Sequence, residues 1–119
     1  MKAADFRRIA LGMKDTVESE HMNHPDFRVN GRVFASLHKE LMWGMVALTP
    51  EQQREFVQEA PETFIPENGA WGRSGYTKVN LALVDEDTLG RALTLARQNA
   101  IDKSAVKRSS SKRTARKPY

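Results

Sequence analysis

The dipeptide Asn30-Gly31 lies between two segments rich in valine and phenylalanine, residues 27–29 and 32–37. Asn and Gly both tolerate the positive φ that a two-residue type I′ turn requires, so the pattern predicts a β-hairpin. A two-residue loop also fixes the pairing of the strands on either side of it. This turn constrains the fold more than any other feature of the chain, because it commits the first half to an antiparallel sheet.

The predicted register assigns each hairpin residue to one face of the sheet. Val29 is expected opposite Arg32, Arg28 opposite Val33, and Phe27 opposite Phe34. We expect the core side to carry Phe27, Val29 and Phe34. The opposite side is expected to carry Val33, Ala35 and Leu37. Because that second side is also apolar, the pattern predicts that a helix, a partner subunit or sheet twist covers it.

The remaining elements follow from periodicity and from start and stop signals. Apolar spacing predicts a helix over residues 6–13. A polar edge strand is expected over 16–24, and a central strand over 41–48. Thr49-Pro50-Glu51-Gln52 is typical of a helix start, with a capping box. The three glycines of 67–75 predict a loop with tight turns that packs Trp71. A strand over 76–84 and a last helix follow, the latter with the apolar stripe Leu89, Ala92, Leu93, Ala96 and Ala100.

Together these segments predict an α+β fold. We expect an antiparallel sheet of about five strands packed with three helices, in the order α-β-β-β-α-β-β-α. The chain has no cysteine, so thiolate chemistry and disulfides are excluded. No apolar run approaches the ~18 residues of a membrane span, and the N-terminus does not resemble a signal peptide. We therefore expect a cytoplasmic protein without a membrane segment.

The net charge of +4 is unevenly distributed along the chain. Residues 103–119 carry seven of the 19 basic residues and no acidic one, which leaves 12 basic and 15 acidic residues in 1–102, a net charge of −3. A basic, serine-rich segment without an apolar stripe cannot form a core and is expected to be disordered. The sequence thus predicts a domain over residues 1–102 and a disordered basic tail over 103–119.

Basic residues in two places are candidates for contact with nucleic acid. The tail can neutralise phosphates whatever their sequence, through Lys103, Lys107, Arg108, Lys112, Arg113, Arg116 and Lys117. The alternative is a tail that serves solubility or binds acidic surfaces in general. A second, smaller patch forms if the hairpin and the glycine-rich loop meet at one edge, and it comprises Arg28, Arg32, Lys39, Arg73 and Lys78. The alternative is that these charges are scattered.

Two histidines, His21 and His24, lie near several carboxylates and invite comparison with a metal site. Zinc sites at this spacing normally include cysteines or a third histidine at a set distance, and His38 lies on another strand. We therefore expect no metal and no cofactor. The glycine-rich loop lacks the strand before it and the helix after it that a phosphate cradle needs, and no catalytic motif is present, so an enzyme is not expected.

The succession of motifs resembles the YjbR/MmcQ family over most of residues 3–101. The matching segments are 27–35 (Phe27 to Ala35), Trp43-Gly44, Leu48-Thr49-Pro50-Glu51, Phe64-Ile65-Pro66, Gly69-Ala70-Trp71-Gly72, Val79-Asn80-Leu81 and the helix from Leu89 to Ala100. The resemblance implies a compact α+β fold similar to frataxin-like or secretion-chaperone-like domains. It also implies the DNA-binding label that the family carries, without a catalytic motif.

The sequence thus predicts a non-enzymatic protein that binds nucleic acid with low sequence specificity; DNA is favoured over RNA, and the sequence does not decide between them. The basic tail is expected to supply most of the affinity. The alternative function is a protein-interaction or dimerising adaptor module, which would use the apolar second face of the sheet and form a homodimer. A small enzyme or ligand-binding protein is the third hypothesis. Salt separates the first two, because phosphate contacts weaken with salt and apolar contacts persist.

Overall fold

The computed structural model describes the backbone of residues 1–21, 24–38 and 40–116, and the side chains of residues 1–20, 24–38 and 40–105. Within these ranges the helices are α1 (Ala3–Leu11), α2 (Pro50–Glu59), α3 (Gly69–Arg73) and α4 (Glu86–Arg116). The strands are β1 (Thr16–His21), β2 (His24–Val29), β3 (Arg32–Leu37), β4 (Trp43–Ala47), β5 (Phe64–Pro66) and β6 (Tyr76–Asn80). None of the helices in this part of the chain is long and apolar enough to cross a membrane.

The strands form one antiparallel sheet in the order β1-β2-β3-β4-β6-β5. The predicted α+β class is therefore correct, and β4 is a central strand as expected. The described residues hold six strands and four helices rather than the predicted five and three. The polar segment 16–21 pairs along its whole length with β2, and the loop expected over 67–75 contains the short helix α3.

The Asn30-Gly31 turn is confirmed, because both residues have the positive φ of a type I′ turn, 54° and 77°. Val29 lies opposite Arg32 and Arg28 opposite Val33, as predicted. The predicted pairing of Phe27 with Phe34 is wrong. The register shifts at this point and Phe27 lies opposite Ala35, so Phe34 is the extra residue of a β-bulge.

The bulge changes which side chains reach the core. Phe27, Val29 and Phe34 are buried as expected, but Ala35 and Leu37, predicted for the opposite face, are also fully buried. An extra residue reverses the alternation of side chains along the rest of the strand. The second face of the sheet therefore loses two of the apolar side chains assigned to it.

Helices α1, α2 and α4 cover one face of the sheet, and the core lies between them and that face. The ring centroid of Phe6 in α1 lies 5.7 Å from that of Phe27, and Phe56 in α2 lies 4.8 Å from Phe64. The N-cap of α2 is confirmed, since the backbone N–H of Gln52 donates to Thr49 Oγ1 over 3.1 Å. The predicted apolar stripe of α4 is also confirmed and buried: Leu89, Ala92, Leu93, Ala96 and Ala100.

The last helix is longer than its packed part. Among the described side chains of α4, which end at residue 105, Ala100 is the last buried one and Ile101 is partly buried against the core, while the helical backbone continues through Arg116. No glycine or proline occurs between positions 91 and 117, so nothing in the sequence breaks the helix there. A domain that ends at residue 102 and a tail that is disordered beyond it stay predictions, which the backbone path of α4 does not by itself test.

Candidate functional site

The predicted tail cations follow the packed part of α4. Lys103 is exposed. The backbone of α4 includes Lys107, Arg108, Lys112, Arg113 and Arg116, while their side chains, like residues Lys39 and Lys117, lie outside the described residues. At 3.6 residues per turn these positions are distributed around the whole helix rather than along one stripe.

The hairpin cation Arg28 is neutralised by its neighbour on the same strand. Its Nε and Nη2 donate to the two carboxylate oxygens of Asp26 over 3.0 and 3.1 Å, a bidentate pair. The Asp26 side chain is only 4% exposed. The hydrogen bond to Asp26, and then its charge, raise the pKa of the Arg28 guanidinium. Arg28 is therefore charged but locally compensated.

The other predicted domain cations do not join Arg28 in one patch. Lys78 lies on β6, two strands away from the hairpin beyond β4, and its Nζ lies 5.6 Å from the centroid of the Trp43 ring. Arg32 is half-buried beside the turn, and Arg73 is exposed at the C-terminal end of α3. Hairpin and glycine-rich loop lie at the same end of the sheet, but β4 separates them. Whether these residues contact nucleic acid stays a prediction.

The face of the sheet opposite the helices carries a row of half-buried side chains, in which Ser36, Met45, Lys78 and Ile65 lie side by side on neighbouring strands. His38 follows β3 and Glu67 follows β5, and His38 Nε2 lies 3.5 Å from Glu67 Oε2. This side-chain pair therefore spans β4 and β6, which lie between β3 and β5 in the sheet. We call the face of the sheet opposite the helices the open face.

At the end of the sheet where β6 begins, α3 is held against the domain by a buried side chain of α2. Gln53 Nε2 donates to the backbone oxygens of Gly72 and Tyr76 over 3.0 and 3.1 Å, and to Thr77 Oγ1 over 3.2 Å. Thr77 Oγ1 in turn donates to the backbone oxygen of Gly75 over 2.8 Å. This network holds the C-terminal end of α3, and the turn that follows it, against the core.

Two glycines are required at this position because of close backbone contacts. A Cβ on Gly72 would lie 1.8 Å from the backbone oxygen of Glu67, and one on Gly75 would lie 2.1 Å from that of Leu48. Gly75 also has a φ of +110°, which side chains rarely adopt. The expectation of tight turns in the glycine-rich segment is confirmed.

The expectation that this segment packs Trp71 is wrong, because 65% of the Trp71 surface is exposed. Its ring contacts Tyr76, with the centroids 4.8 Å apart and the ring planes at 85°. Lys103 Nζ lies over the Tyr76 ring, 6.0 Å from its centroid. The structure therefore places an exposed tryptophan and a half-buried tyrosine beside the first cation of the basic segment.

This arrangement was not predicted from the sequence, although each residue is visible there. Trp71 in a glycine-rich segment predicts a packed aromatic, and its exposure follows from the position that Gln53 gives to α3. The contact between Tyr76 and Lys103 joins residues distant in sequence. The one local signal is the pairing of two glycines with tryptophan in Gly69-Ala70-Trp71-Gly72, which indicates a constrained backbone.

No metal centre is evident in the part of the chain that the structure describes. There, no group of three or more histidine, aspartate or glutamate side chains lies close enough together to hold an ion. His21 and His24 are backbone partners at the ends of β1 and β2, and the side chain of His21 lies outside the described residues. The expected absence of a metal and of a cofactor stays a prediction.

Comparison with known proteins bears on the fold. No family model matches the sequence, and no curated protein matches it. Among solved structures, the chain is similar to the crystal structure of Deinococcus radiodurans protein DR2400, a DUF419 domain, with a TM-score of 0.65. The two are 18% identical, and the match covers 77% of this chain and 72% of that one. At this identity the likeness shows a shared α+β fold.

Proposed function

We propose that this protein is a non-enzymatic nucleic-acid-binding protein of low sequence specificity, and that residues 103–119 supply most of its affinity. The observation that carries the proposal is the separation of packing from charge in α4. Of the side chains described up to residue 105, the last buried one is Ala100, and residues 103–119 hold seven basic residues and no acidic one. A segment of this kind neutralises phosphates regardless of base sequence. We propose DNA rather than RNA as the ligand, in the cytoplasm.

The dimensions of the molecule support this proposal. A helix of 31 residues is about 46 Å long. The two shorter dimensions of the protein are 28 and 26 Å and the longest is 51 Å. The basic end of α4 therefore extends beyond the sheet that its first half covers. Any cation more than about 10 Å from the domain is little affected by the net negative charge of residues 1–102, since salt screens charges beyond that distance.

We also infer that the chain belongs to the YjbR/MmcQ family. The DUF419 fold of the solved neighbour, which is related to YjbR-type folds, supports this assignment. So does the position of the resembling segments, which include the Asn30-Gly31 turn and the Thr49 cap. The DNA-binding label of that family agrees with the proposed function, but the cations of this chain carry the argument.

The test is the salt dependence of DNA binding by the full chain and by a variant of equal length. In that variant Lys107, Arg108, Lys112, Arg113 and Arg116 are changed to Gln, a good helix former. If every basic residue after 102 contacts a phosphate of duplex DNA, the slope of log affinity against log salt concentration is about −6. Contact by only some of them gives a shallower slope. We expect the variant to lose affinity by about 100-fold at about 50 mM salt and to respond little to added salt.

The matched control changes cations of the domain, Arg28→Gln, Arg32→Gln and Lys78→Gln, in the intact chain. We expect a small loss of affinity, visible mainly at low salt, because Arg28 is already paired with Asp26. If the five-glutamine variant binds DNA as tightly as the full chain, the basic segment is not the binding element, and the hairpin cations become the site. If neither the full chain nor the five-glutamine variant binds DNA at low salt, the proposed function is wrong.

A second candidate function, a protein-interaction or homodimerising module, is favoured by the open face of the sheet. Trp43, Met45 and Ile65 on this face are half-buried, although no helix of the described residues covers it. An apolar partner surface would cover them. Binding of that kind persists at high salt, and substitution of Met45 by Glu would abolish it without affecting DNA binding.

A further inference from the structure

Trp71 is the most exposed of the large apolar side chains in the described residues. The other exposed apolar side chains lie in loops, on an edge strand or, for Leu11, at the end of α1. Trp71 lies on a short helix whose C-terminal end is held by hydrogen bonds from Gln53 to the backbone oxygens of Gly72 and Tyr76. The close approach of Gly72 to Glu67 fixes the backbone further. The ring is therefore held outward on a rigid support, and its exposure does not result from a flexible loop.

The surroundings of Trp71 are basic and aromatic. Tyr76 contacts its ring, and Lys103 lies over Tyr76 at the start of the basic segment. Arg73, exposed, follows two residues after Trp71 on the same short helix. A ligand on the Trp71 ring would thus meet cations nearby and would continue toward the cations of α4.

We propose that Trp71 is a stacking platform for unpaired bases, so that the preferred ligand is single-stranded nucleic acid. Its bases would contact Trp71 while its phosphates contact Lys103 and the residues after it. This inference rests on the proposed function, which it narrows to a class of ligand. Exposed aromatic rings beside a basic surface bind single strands, because every unpaired base offers an apolar face. In a duplex those faces are stacked on one another and cannot reach a protein side chain.

The other tryptophan provides an internal control. Trp43 lies on the open face, half-buried, with Lys78 over its ring. Lys78 therefore covers one face of the Trp43 ring. We expect Trp43 not to stack with bases. Since the chain has two tryptophans, Trp43→Phe leaves Trp71 as the single fluorescent reporter, and Trp71→Phe leaves Trp43.

The experiment titrates the full chain, Trp71→Ala, Trp71→Phe and the five-glutamine variant with oligothymidylate and with a duplex of equal length. We expect Trp71→Ala to weaken binding of the single strand by about 10-fold or more, the effect of losing one stacked base, and to leave duplex binding unchanged within about two-fold. Trp71→Phe, which keeps an aromatic ring, should recover most of the loss. In Trp43→Phe protein, oligothymidylate should quench the fluorescence of Trp71, and the duplex should not.

The outcomes separate this inference from the function on which it rests. If the five-glutamine variant loses both ligands while Trp71→Ala binds each of them like the full chain, the stacking role is wrong and the proposed function holds. The stacking role is equally wrong if Trp71 fluorescence does not respond to the single strand. If the full chain binds neither ligand at low salt, the proposed function fails and the stacking role with it. Thermal unfolding of Trp71→Ala checks its fold, and the fluorescence titration tests the inference without that variant.

Discussion

The two halves of α4 differ in what they contact. The first half follows Asp85, begins with Glu86 and Asp87, and buries five apolar residues against the sheet. It is also tied to its neighbours, since Arg8 Nη2 donates to Glu86 Oε1 over 2.9 Å and Asn99 Nδ2 to the backbone oxygen of Ala47 over 3.0 Å. The second half, after Ala100, is basic, and its residues up to 105 are exposed or half-buried.

This difference indicates that one helix can serve both folding and binding, with independent contributions to the free energy of each. The first half contributes to folding through removal of apolar surface from water. The second half adds charge, which affects association with a polyanion and its salt dependence. A substitution in one half should therefore change stability or binding, but not both.

The largest expected effect belongs to the first half. Leu93 is fully buried, and Leu93→Ala removes apolar contacts and leaves a cavity, at a cost of about 2–5 kcal/mol in the free energy of unfolding. We expect the salt slope of DNA binding to stay that of the full chain, as long as the variant is folded. Denaturant titration measures the first quantity and DNA titration at two salt concentrations the second.

The matched control for this prediction is Gln98→Ala, an exposed position further along the same helix. Its unfolding free energy should change by less than about 0.5 kcal/mol. The division between the halves breaks down if Leu93→Ala flattens the salt slope. It also breaks down if the five-glutamine variant loses as much stability as Leu93→Ala.

A smaller effect on DNA binding is expected when a cation of the domain is made able to compete with the basic half of α4 for phosphates. Asp26→Asn keeps the shape of the side chain but removes the charge that compensates Arg28. Freed Arg28 can then contact a phosphate, which would steepen the salt slope by up to about one unit and raise affinity a few-fold at low salt. The thermal midpoint should fall, since a buried partner of Arg28 is weakened.

The double variant, Asp26→Asn with Arg28→Gln, isolates the cause. It should return the affinity and the salt slope to those of the unmodified chain, because the uncompensated cation is gone. If Asp26→Asn alone leaves both quantities unchanged, the bound strand does not reach the hairpin, and Arg28 is then no part of the interface even when it is uncompensated.

The sequence predicted the features that short segments determine by themselves. The Asn30-Gly31 turn requires positive φ at two adjacent residues, and few dipeptides provide that. The apolar stripe of α4 follows from helical spacing, and the capping box of α2 from four adjacent residues. Each depends on neighbours within a few positions, so no knowledge of the rest of the chain was needed.

The features that escaped prediction depend on distant contacts. Phe34 and Ala35 both enter the core through a bulge, which no local pattern signals. The position of Trp71 depends on Gln53, whose buried hydrogen bonds could not be anticipated from a polar residue in an amphipathic helix. For the same reason the candidate site, where Tyr76 meets Lys103, was visible only in the structure.

The smallest expected effect is on the acid stability of the first half of α4. The backbone N–H of Thr88 donates to Asp85 Oδ1 over 2.7 Å, and this hydrogen bond lowers the pKa of the Asp85 carboxyl below its ordinary value of 3.8. Since the pKa is lower in the folded state, the carboxylate stabilises the fold fully above the unfolded value. That stability is lost as the pH falls through the folded pKa.

Between about pH 5 and about pH 3, the thermal midpoint of the Asp85→Asn variant should therefore fall less than that of the unmodified chain. Asn caps a helix nearly as well as Asp but does not titrate. Asp85→Ala, which removes the cap at every pH, should have a lower midpoint throughout. The cations after Ala100 do not titrate in this range, so the five-glutamine variant should follow the unmodified chain. A midpoint in Asp85→Asn that falls with acid as steeply as in the unmodified chain would show that the carboxylate does not cap α4 in solution.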